Sequence, residues 1–106
     1  MPDFTDMLSK AKEMQTKMKD AQDAIKNIEV EGEAGGNLVK VILTGDYEIK
    51  AINVSEEAKK ETAEIINDLI IAAYNNAKEK LKKKSAEELS KATGGINLPF
   101  DLKFPF

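Results

Sequence analysis

The sequence predicts an α+β fold: a long helix, a three-stranded antiparallel meander, a second long helix and an extended tail. Three observations predict it. Residues 28–54 hold three short β-type runs separated by glycine turns. The segments on either side carry apolar residues at helical spacing. An antiparallel sheet of this kind wets one face and must bury the other, and only the helical flanks can cover it.

Residues 3–27 read as the first helix. Asp3 suits the N-cap and Asp6 the positive first turn. Phe4, Met7, Ala11, Met14, Met18, Ala21, Ile25 and Ile28 alternate three and four apart, a heptad seam. Methionine and alanine make that seam thin, so it suits packing on another helix, of this subunit or of a second, better than a free-standing zipper. In the meander, residues 28–33 alternate apolar and acidic. Gly35-Gly36 supplies a turn, and Val39, Val41 and Leu43 line one face of the second strand. Gly45-Asp46 turns again into a strand over residues 47–54.

Ser55 can cap a short helical turn over residues 56–60. The second long helix starts near Thr62, with Ile65, Ile66, Leu69, Ile70, Ala73, Ala77 and Leu81 on a broad face. Residues 69–74 are apolar nearly all round, which suits a helix buried on more than one side. One three-stranded sheet covers only one. A homodimer is therefore expected, with Ile66, Leu69, Ile70, Ala73 and the facing sheet as its interface. Residues 85–88 match a capping box, so whether the helix restarts at Ser85 or runs through stays open. Gly94-Gly95 ends the pattern. The expected organisation is one domain over residues 1–95 and an apolar tail over 96–106, with Phe100, Phe104 and Phe106.

Composition excludes much chemistry. The 106 residues contain neither cysteine nor histidine, so thiolate chemistry and the commonest general base and metal ligand are gone. Glu29, Glu31 and Glu33 share one side of a strand, but one strand rarely completes a cation's oxygen shell, and a solvated face explains them better. No serine or threonine has a visible base to activate it. No cofactor, metal site or catalytic activity is expected. No run is long enough to span a membrane, and no signal-peptide pattern opens the chain, which points to the cytoplasm.

Net charge is −3, yet it is unevenly spread. Residues 28–54 and 55–76 each carry two lysines and five acids, whereas residues 77–93 carry six lysines and three acids. A local basic patch can bind an anion on an acidic protein, because screening limits distant repulsion to about 10 Å. All sixteen cationic residues are lysine. Without arginine the usual bidentate contact to guanine is missing, whereas phosphate contacts remain available. Asp6–Lys10 and Glu13–Lys17 are spaced for internal ion pairs. Glu79 can serve Lys82 and Lys83, and Glu87 or Glu88 can serve Lys84. Lys12, Lys78 and Lys80 lack an acid three or four residues away, and Lys19 has only Asp23. Lysines near a helix C-terminus also suit the macrodipole without any ligand.

The whole chain resembles the YbaB/EbfC family of bacterial nucleoid-associated proteins. The resemblance rests on Met14-Gln15 and Met18, on residues 30–36, and on Val39-Lys40-Val41, Gly45 and Ile52. It continues through Asn67-Asp68-Leu69, Ala72-Ala73, Asn75-Asn76-Ala77, Gly94-Gly95, Leu98-Pro99 and Pro105-Phe106. It departs from the family's common Asp-Pro after the third strand, where this chain has Asn53-Val54. The resemblance implies a tweezer-shaped homodimer that binds duplex DNA in the nucleoid without an enzymatic step. By region it implies DNA contacts from Lys12 and Lys19 and from Lys78, Lys80, Lys82, Lys83 and Lys84. The expected function is low-specificity binding through lysine–phosphate contacts that affects nucleoid organisation or gene expression. The alternative is a protein–protein adaptor that docks an unidentified partner through the apolar tail without touching DNA.

Overall fold

The computed structural model describes residues 3–92. Their order is α1 (Phe4–Lys26), β1 (Glu29–Ala34), β2 (Val39–Thr44), β3 (Ile49–Val54), a 3₁₀ turn (Ala58–Lys60) and α2 (Ala63–Ala92). The strands form one antiparallel sheet in the order β1-β2-β3, as the α+β expectation required. The tail, residues 96–106, lies outside the described residues.

The helix starts follow side-chain caps. Asp3 accepts from the Thr5 amide at 3.3 Å, Ser55 Oγ from the Ala58 amide at 3.0 Å, and Thr62 Oγ1 from the Ile65 amide at 3.3 Å. Each satisfies a main-chain donor that a first turn leaves without a helical partner. The question at Ser85 has a plain answer: α2 continues through it without a break. Thirty residues give that helix a length of about 45 Å.

Alternation along the strands builds the core. Val30 on β1 and Val39, Val41 and Leu43 on β2 point inward and are buried. Ala73, Ala77 and Leu81 of α2 meet them with no exposed surface of their own. Tyr74 packs against both halves of this core. Gly32 explains how α2 comes so close: a β-carbon there would run into the Ala73 carbonyl and the Ala77 amide. The small residues at 32, 73 and 77 therefore let a helix backbone lie directly on a strand.

Two local expectations change. Gly35 and Gly36 do take positive φ in the first turn, at 63° and 73°. In the second turn the left-handed residue is Tyr47, at φ 62°, and not Gly45. Gly45 is glycine because the end of α1 crosses it, and a β-carbon would strike the Ile25 carbonyl. β3 also starts later than expected, at Ile49. An irregularity between Ile42 and Leu43 leaves Lys50 as an extra residue, since Ala51 opposes Ile42 and Ile49 opposes Leu43.

The heptad seam of α1 is buried over only part of its length. Ala21 and Ile25 are buried, and Met18 and Ile28 half-buried. Phe4, Met7, Leu8 and Met14 stay exposed. Lys17, Asp20, Ala21 and Ala24 lie beside Glu88, Lys91 and Ala92 at the far end of α2. Past that point α2 no longer accompanies α1.

Candidate nucleic-acid interface

Two surfaces are candidates for a functional role: the exposed lysines and the apolar area that α2 leaves uncovered. On α1, Lys12 and Lys19 are seven residues apart, so they project from one face about 10 Å from each other along the axis. That face lies well round from the buried line of Ala21 and Ile25. Both lysines are exposed and neither makes an ion pair within the described residues. Lys17 does, to Glu13 at 3.3 Å, as its spacing suggested. The matching expectation for Asp6 and Lys10 is not met.

On α2 the basic stretch is not a single patch. At about 100° per residue, Lys78 lies well round the helix from Lys80 and Lys83, whereas Lys80, Lys82 and Lys83 line one open hollow with Asn76 and Glu79. Lys82 pairs loosely with Glu79 at 3.9 Å. Lys83 makes no ion pair within the described residues. Neither does Lys84, because Glu88 turns instead to Lys91 at 3.5 Å. Lys78 is half-buried and has no acidic partner among the described residues. Lys80, which spacing alone leaves free for an external anion, is already engaged. Its ammonium donates to the main-chain carbonyl of Glu31 at 2.9 Å. Spacing along one helix could not reveal a partner on a strand 49 residues earlier.

The acidic row of β1 is a solvated face. Glu29 pairs across the sheet with Lys50, and Glu31 with Lys40 at 3.3 Å. Among the described residues no group of three or more acidic side chains could hold a metal ion.

The residues expected to form a dimer interface divide. Ala73 faces the sheet of its own subunit and has no exposed surface, so it cannot meet a second copy. Leu69 and Ile70 pack partly against the same core, and Ile66 is half-buried. The uncovered apolar surface lies elsewhere. Helix α2 packs on β1 and β2 and scarcely reaches β3. Ile49 and Ile52 of β3 therefore remain 47% and 43% exposed on the face that α2 covers elsewhere. Ile71, on the outer part of α2, is 58% exposed. The signal for β3 was present in the sequence as three apolar positions, Ile49, Ile52 and Val54. What hid it was the width of one helix, which covers two strands but not three.

Comparison with known proteins adds to this geometry. Residues 1–96 match the family profile described as the YbaB/EbfC DNA-binding family. A nucleoid-associated protein of Agrobacterium fabrum is 42% identical over 107 aligned positions, covering all of both chains. One from Bartonella bacilliformis is 43% identical, covering all of this chain and 99% of the other. The crystal structure of an uncharacterized protein from Helicobacter pylori has the same fold. Its TM-score is 0.70 at 16% identity, over 90% of this chain and 100% of that one.

Proposed function

The chain belongs to the YbaB/EbfC DNA-binding family, and from that premise we propose that it binds duplex DNA as a homodimer, through lysine–phosphate contacts and with little readout of base sequence. The observation that carries this reading is the pair Lys12 and Lys19, on one face of α1, exposed and without an ion-pair partner among the described residues. Lys78, Lys82, Lys83 and Lys84 add positive charge on α2. Lys80 contributes only the donors that its bond to Glu31 leaves free. Lysine is a compact point charge that neutralises phosphate without the planar fork of arginine. A chain with sixteen lysines and no arginine suits backbone binding better than base reading.

The homodimer rests on the apolar surface that one subunit leaves open. Ile49 and Ile52 on β3, with Ile70 and Ile71 on the neighbouring flank of α2, are where a second copy would bury apolar area. A closed pair would double each lysine row, which raises the number of phosphates that one particle can meet. The protein works without catalysis or cofactor, and its place is the nucleoid of the cytoplasm, where it affects DNA organisation or gene expression.

Fluorescence anisotropy on two unrelated duplexes of equal length tests the reading. The two affinities should agree within about tenfold, whereas sequence-specific proteins separate target from non-target by roughly 10³ or more. Failure of the folded protein to bind either duplex at low salt would sink the DNA reading. It would favour the adaptor, whose apolar tail lies outside the described residues.

A further inference from the structure

The sheet has two edge strands, β1 and β3, and they are not alike. Hydrogen bonding in an antiparallel pair alternates with period two. The Gly45 amide donates to the Ile28 carbonyl at 2.9 Å, which puts the even-numbered residues of this strand on the bonded side. The odd-numbered ones turn their N–H and C=O groups outward. Two of those outward groups are taken by side chains of α2. The Glu33 amide donates to Asn76 Oδ1 at 3.1 Å. The Glu31 carbonyl accepts from Lys80 Nζ at 2.9 Å. The two polarities are matched: an amide oxygen meets the N–H, and an ammonium meets the carbonyl.

The spacing makes this a repeat in register. Asn76 and Lys80 are four apart, about 6 Å of helix rise, and lie on one flank. Glu31 and Glu33 are two apart, about 6.7 Å of strand. Helix and strand run in opposite directions, so the later helix residue meets the earlier strand residue. Gly32 sits between them and lets the helix backbone settle on the strand. On β3, no side chain among the described residues bonds to the main chain of residues 49–54.

We propose that Asn76 and Lys80 guard the β1 edge, so that the sheet can be extended only through β3. An unguarded edge is a template for another strand. A subunit with two open edges could pair at both and grow without closing, whereas a subunit with one can only form a closed pair. The guard therefore sets which surface a second copy of this chain can use. It also gives Lys80 a task that needs no DNA.

Light scattering over a wide concentration range, without DNA, tests the proposal on the full chain. Asn76→Ala/Lys80→Ala removes both guards and leaves good helix formers in place. Lys82→Ala/Lys83→Ala is the control, since it alters the same helix without touching β1. The first variant should keep its circular dichroism and shift to a larger, concentration-dependent mass than the wild type. The control should match the wild type. Unchanged mass for the unguarded variant, or an equal shift in the control, overturns the proposal. Should the unguarded variant lose its fold, Asn76→Asp/Lys80→Arg keeps an acceptor and a donor in place. It must hold the wild-type mass, while Asn76→Ala alone must speed hydrogen exchange at the Glu33 amide. Failure of either result overturns the proposal as well. A monomeric wild type would refute the homodimer and leave the guard to be judged from the change in mass.

Discussion

Adding one methyl group at residue 32 should remove a large part of the stability. In Gly32→Ala the new β-carbon points at α2 and meets the main chain at Ala73 and Ala77, with the Ala77 β-carbon at 2.6 Å. Carbon atoms prefer about 3.5–4.0 Å, so the helix must retreat by roughly 1 Å along the line of contact. The obstacle is a helix backbone, which cannot swing aside as a long side chain can. The retreat also loosens Val41, Ala73 and Ala77, all of which lack any exposed surface now. Overpacking a tight core costs about 1–3 kcal/mol, and more where nothing can yield. Replacing glycine returns only about 0.4–1 kcal/mol through the unfolded chain. A net loss of about 3 kcal/mol is expected, against a total of roughly 5–15 kcal/mol for a domain of this kind. Urea unfolding followed by circular dichroism measures it, and Gly36→Ala provides a contrast: a β-carbon at residue 36 meets nothing within 4 Å, so its cost is only the backbone strain at φ 73°, about 1–2 kcal/mol. A loss below about 0.5 kcal/mol with an unchanged denaturant slope would refute the claim that α2 rests on β1 at this point.

Further substitutions probe other joints of the fold. Leu81→Ala empties a fully buried site in the core shared by α2 and the sheet and should cost about 2–5 kcal/mol in the same urea assay. Gly45→Ala should destabilise by about 1–3 kcal/mol through the clash with the Ile25 carbonyl. Amide exchange should show the end of α1 released first. Ile52→Asp changes a residue that is 43% exposed in one subunit. It should shift subunit stability by less than about 1 kcal/mol yet abolish the proposed dimer in light scattering. A variant that still dimerises would remove β3 from the interface.

Much of the fold was legible because local patterns and tertiary packing agree. The alternation at Val30, Val39, Val41 and Leu43 put the buried face of the sheet where it lies. Asp3, Ser55 and Thr62 marked helix starts that the structure keeps. What stayed hidden needs a neighbour distant in sequence. Gly45 looks like a turn residue until α1 is seen crossing it, and the turn itself is made by Tyr47. Ala73 sits in an apolar run with nothing to say which side meets the sheet. Gly32 on β1 decides that question, because it admits the helix at Ala73 and Ala77 and so buries them. Lys80 looks unengaged when only helix neighbours are considered, and its partner is a main-chain oxygen. The full extent of the α1 seam promised a buried stripe from Phe4 to Ile28, but α2 accompanies α1 only from about Lys17 onward.

The most direct test of the account is the salt dependence of DNA binding, measured on the wild type and on Lys12→Glu/Lys19→Glu/Lys78→Glu. If four to six phosphates are neutralised, log affinity should fall against log salt with a slope of about −4 to −5 for the wild type. The charge-reversed variant, with its circular dichroism intact, should bind at least tenfold more weakly and with a shallower slope. A wild-type slope near zero, or equal affinity and slope in the variant, would contradict binding through these lysines.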